Sequence, residues 1–134
     1  MAASTLRIQR LSRPDEDDLI RVSVRAENEA IAARGWAYTS PNSLSQFAGV
    51  LASFPRQIPD TVAYSMASGE CSIAFDLATI GRTGSLEVTV RIESGRNAAT
   101  ISILSEPGML NVFGQQVASV ASLTSDEAEL KYDA

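Results

Sequence analysis

The chain has 134 residues, 45% apolar and 20% charged, an ordinary balance for one folded domain. It contains no histidine and one cysteine, Cys71, which excludes histidine-activated nucleophiles, thiolate metal clusters and an internal disulfide. Eleven basic against sixteen acidic residues give a net charge of −5, so a phosphate backbone is expected to be repelled and nucleic acid is expected to be no partner.

Met1-Ala2-Ala3-Ser4 lacks the basic-then-apolar order of a signal peptide. The apolar runs fall far short of the roughly 20 residues that a bilayer requires. The expected setting is cytoplasmic, with no membrane partner. Thr5–Ser12 then alternates as a first strand, with Leu6 and Ile8 opposite Arg7 and Gln9. A polar turn follows, in which Pro14 stops pairing and Asp15, Glu16, Asp17 and Asp18 concentrate negative charge. In Leu19–Glu27, Ile20, Val22 and Val24 alternate with Arg21, Ser23 and Arg25, which completes a hairpin. Ala30–Tyr38 reads as a third strand, with a bulge expected at Gly35. Trp36 and Tyr38 are expected to be buried and to close one end of the core; exposed, they would anchor an interface.

Ser40 before Pro41 predicts an N-cap followed by proline at the first helical position. Ser43 with Gln46 offers a capping box one turn later. Leu44, Phe47, Ala48 and Leu51 form one apolar stripe, and Pro55 ends the helix. Four alternating runs follow, over Val62–Met66, Cys71–Leu77, Leu86–Ile92 and Ala99–Ile103, joined by short turns. They predict an antiparallel meander with one wet side. Cys71 falls on the apolar side and is expected to be buried. After Pro107-Gly108, the spacing of Leu110, Phe113, Val117 and Val120 predicts a second helix lying over the sheet. Residues 124–134 read as an acidic tail, in which Leu130 and Tyr132 form a short strand or a frayed end. The fold class is therefore α+β: a curved antiparallel sheet of about six to seven strands packed against two helices, one domain over residues 1–134.

Catalytic patterns are absent. Gly81-Arg-Thr-Gly84 lies between strands and lacks the Lys-Ser/Thr of a phosphate loop, so it reads as a hairpin turn. Asp76, Glu87 and Arg91 share a polar face, where cross-strand charge pairing explains them better than acid catalysis. No enzyme activity, cofactor or metal is expected.

The order of elements resembles the WapI-type immunity proteins, small cytoplasmic proteins that neutralise bacterial polymorphic toxins. Three stretches carry the resemblance: Ser43-Leu-Ser-Gln-Phe47 through Leu51, Leu86-Glu-Val-Thr-Val-Arg91, and Met109-Leu-Asn-Val-Phe113 through Val117. It implies a non-enzymatic module that binds another protein, a basic toxin or effector domain, and blocks its active site. Asp15, Glu16, Asp17, Asp18, Glu87 and Glu93 would then meet the basic groove, with a falling affinity at higher salt. An acidic secretion chaperone, often a homodimer, and a small-ligand-binding α+β domain are the alternatives.

Overall fold

A computed structural model describes residues 3–82 and 84–133. Among the described residues, eight strands and two helices follow one another. Strands β1 (Ala3–Arg10), β2 (Ile20–Glu27) and β3 (Ala32–Thr39) lead into helix α1 (Pro41–Ser53). Strands β4 (Thr61–Ala67), β5 (Cys71–Ile80), β6 (Ser85–Ser94) and β7 (Asn97–Ser105) lead into helix α2 (Pro107–Ala121), and β8 (Glu127–Asp133) closes the chain. All neighbours in the sheet are antiparallel, in the order β7-β6-β5-β4-β3-β2-β1-β8. The α+β class and curved sheet agree with the sequence. The strand count exceeds the expected six to seven because, of the two readings of Leu130 and Tyr132, the strand forms: Glu127–Asp133 pairs with β1 along its whole length.

The sheet has two four-stranded halves, β8-β1-β2-β3 and β4-β5-β6-β7. Among the described residues one backbone rung, Tyr38 opposite Ala67, joins them. Their apolar faces turn toward one another. A Cβ built on Gly35 of β3 would lie 2.7 Å from Ile92 Cγ2 of β6 and 2.9 Å from Cys71 Sγ of β5. That close approach explains the glycine. The register of β2 with β3 runs without interruption from Ile20↔Thr39 to Glu27↔Ala32, so the bulge expected at Gly35 is absent. Cys71 is buried in this contact, as its apolar neighbours indicated.

Helix α1 begins as the sequence dictates. Ser40 is extended at φ −82° and ψ 149°, and its Oγ accepts the Ser43 amide at 3.1 Å. Leu44, Phe47, Ala48 and Leu51 are all buried. Phe47 stacks on Tyr64 of β4 with ring centroids 4.3 Å apart, so α1 packs against the half of the sheet that follows it in the chain. The Tyr64 hydroxyl lies 2.6 Å from Thr39 Oγ1, which satisfies that buried threonine. Helix α2 lies against β8, where Gln116 Oε1 accepts the Glu129 amide at 2.8 Å. The two helices touch at Gly114, whose Cβ would fall 2.6 Å from the Ala52 nitrogen. No helix among the described residues is long and apolar enough to cross a membrane.

Candidate functional site

The strand period decides what the outer face of β1–β3 carries. Leu6, Ile8, Val22, Val24, Ala26 and Ala37 point inward and are buried. Their alternates point outward. The register then sets these outward residues in rows across three strands. Arg7, Arg25 and Arg34 form one row, and Gln9, Ser23 and Trp36 the next. In the third, the Leu11 amide bonds to the Arg21 carbonyl and Arg21 faces Tyr38. Arg7, Gln9, Arg21, Arg25, Arg34 and Tyr38 are exposed, and Ser23 and Trp36 are half-buried.

This arrangement corrects the expectation that Trp36 and Tyr38 are buried. The inward positions of β3 are Ala33, Gly35, Ala37 and Thr39, all small, and Ile92 and Cys71 press against Gly35 too closely for any large side chain. Bulk is forced outward. Trp36 and Tyr38 meet edge to face with centroids 5.7 Å apart, and the Arg21 guanidinium lies 4.2 Å from the centre of the Trp36 ring.

Like charges directly opposite one another destabilise a sheet, and the arginine row is partly compensated. Arg7 Nε reaches Glu127 and Arg7 Nη2 reaches Glu129, each at 2.7 Å. The Glu129 hydrogen bond, followed by the Glu127 charge, raises the Arg7 pKa above its ordinary value. Arg25 reaches Glu27 at 3.3 Å. Arg34 has no ion pair or hydrogen bond among the described residues, and neither do the side chains of Gln9 and Ser23. These three line a groove of about 320 Å³ with Leu11, Arg21, Gly35 and Trp36.

The acidic residues expected to bind a partner are not brought together. Asp15, Glu16, Asp17 and Asp18 form the β1–β2 turn. Asp15 Oδ1 accepts the amides of Asp17 and Leu19 at 2.9 and 3.0 Å, so this carboxylate shapes the turn. Glu87 and Glu93 lie on β6 in the other half of the sheet, six positions apart, or about 20 Å along an extended strand. Glu93 pairs with Arg91 at 2.6 Å. Arg91 therefore pairs along its own strand, not across to Asp76 or Glu87. With Asp76, Glu87 and Glu93 against Arg91, the outer face of β5–β6 is acidic, whereas that of β2–β3 is basic.

In fold the chain is similar to WHY1 from Arabidopsis thaliana, with a TM-score of 0.52 and 10% identity, covering 90% of this chain and 77% of that one. No family model matches, and no curated protein matches. WHY1 is a nucleic-acid-binding protein. The expectation that nucleic acid is no partner is corrected by this finding. The physical fault lay in reasoning from net charge. The −5 total averages over the molecule, whereas a ligand meets the local potential of one face. These comparisons do not bear on a likeness to the immunity proteins.

Proposed function

We propose that this chain binds single-stranded nucleic acid across the outer face of β1–β3, in a binding role without catalysis. Four arginines and two aromatic rings projecting from one three-stranded surface carry this reading. A flexible strand is held by cations that track its phosphates and by aromatic faces on which its bases stack. Arg21 and Arg34 supply cations free of any carboxylate among the described residues. Trp36 and Tyr38 supply the stacking surface. Arg7 and Arg25 engage phosphate by exchange with the exposed carboxylates that hold them, an exchange that costs little at a solvated surface. The fold shared with the nucleic-acid-binding WHY1 supports the reading.

The test is fluorescence anisotropy of labelled oligothymidylate over a salt series. Wild-type affinity is expected to fall steeply with salt, with a slope of about −0.7 per phosphate neutralised. The double variant Arg21→Ala/Arg34→Ala is expected to bind at least about tenfold more weakly at low salt and with a shallower slope. Absence of wild-type binding at low salt, or full binding by the double variant, would overturn the proposal.

A further inference from the structure

We infer that the groove between Trp36 and Gln9 reads one base of the bound strand and selects guanine. The inference rests on the nucleic-acid reading above. It adds a sequence preference, which phosphate contacts do not supply.

The groove is built by side-chain size. In the row Gln9–Ser23–Trp36 the middle strand contributes the smallest side chain, so Ser23 is a floor between two taller walls. Arg34 stands two positions from Trp36 along β3, and Arg21 is already seated over the Trp36 ring. The polar groups of Gln9, Ser23 and Arg34 are all unused within the described chain, whereas Arg7, Arg25 and Arg91 are each tied to a carboxylate. A flat aromatic ring lying over Ser23 contacts the indole and turns its edge toward those unused groups.

Arg34 decides which ring. Its guanidinium presents only donors in a planar fork, and the guanine O6 and N7 atoms present two adjacent acceptors to it. Adenine sets a donor beside its acceptor on the same edge, and thymine offers one acceptor beside a methyl group. Gln9 and Ser23 carry both donor and acceptor and so tolerate any edge. A purine also covers more of the indole than a pyrimidine.

The chain has one tryptophan, so quenching of its emission reports on Trp36 alone. The probes are four oligothymidylates differing only in the central base, with anisotropy measured beside the quench. The guanine strand is expected to bind about tenfold tighter than the all-thymine strand, within the range for one bidentate arginine contact, and to quench Trp36 most. Arg34→Lys keeps the charge and loses the fork. It is expected to bind the guanine and all-thymine strands equally, so that the ratio of about ten between their affinities is lost. Equal affinity for all four strands, a preference for another base, or a guanine preference that survives Arg34→Lys would overturn the inference while leaving the proposed function standing. Failure of every strand to bind would overturn both.

Discussion

Two glycines fix how closely the layers of this protein approach, and their neighbours differ in kind. A Cβ at Gly114 would meet backbone atoms of α1, with the Ala52 nitrogen at 2.6 Å and the Ala48 oxygen at 2.9 Å. A Cβ at Gly35 would meet side-chain atoms of Ile92 and Cys71. Backbone cannot turn aside, whereas side chains can in part. Gly114→Ala is therefore expected to destabilise by about 1–3 kcal/mol, the cost of overpacking, and Gly35→Ala by less. Urea unfolding of both variants checks the order. Neither role is legible in sequence, because a glycine's neighbours in space are not its neighbours in the chain. A glycine inside a strand pattern ordinarily marks a bulge, whereas Gly35 marks the close approach of β5 and β6. The orientation of Trp36 is hidden from the sequence for the same reason. Its size argued for burial, and the opposing side chains that deny it space come from β5 and β6.

Elements with a clear period were legible. The α1 stripe, its Ser40 cap and the four strands β4–β7 all lie where the alternation places them, since each depends on nearby residues. Strand β8 was obscured by composition: its charged residues resemble a solvated tail, yet Ala128 and Leu130 are buried and β1 supplies its ladder. Asn111 carries no signal in the sequence that its side chain bonds outside its own helix. Its Nδ2 donates to the Leu51 carbonyl at 2.9 Å and to the Phe54 carbonyl at 3.3 Å, so α2 caps the end of α1. Asn111→Ala removes both bonds and leaves those carbonyls without this donor. The expected loss is about 1–2 kcal/mol. Asn111→Asp is expected to cost more, because a carboxylate there faces two oxygens. Denaturant midpoints compared at constant slope measure both.

At the scale of the molecule, charge is segregated between two surfaces that face away from each other. The sequence shows the alternation along each strand, but only the register assigns Arg7, Arg25 and Arg34 to one row. The protein is expected to be retained on an anion exchanger, as its net charge requires, and also on an immobilised polyanion such as heparin, through the arginine face. Arg21→Ala/Arg34→Ala is expected to abolish heparin retention and to leave anion exchange intact. Loss of both, or of neither, would count against segregation. The single rung at Tyr38 and Ala67 has a consequence for the shape of any ligand. It makes the seam between the halves a crease, with Tyr38 at its lip and the outer surfaces falling away on either side. A stiff duplex laid on one surface projects past that ridge into solvent. A supple single strand can bend over it and stay in contact with the protein.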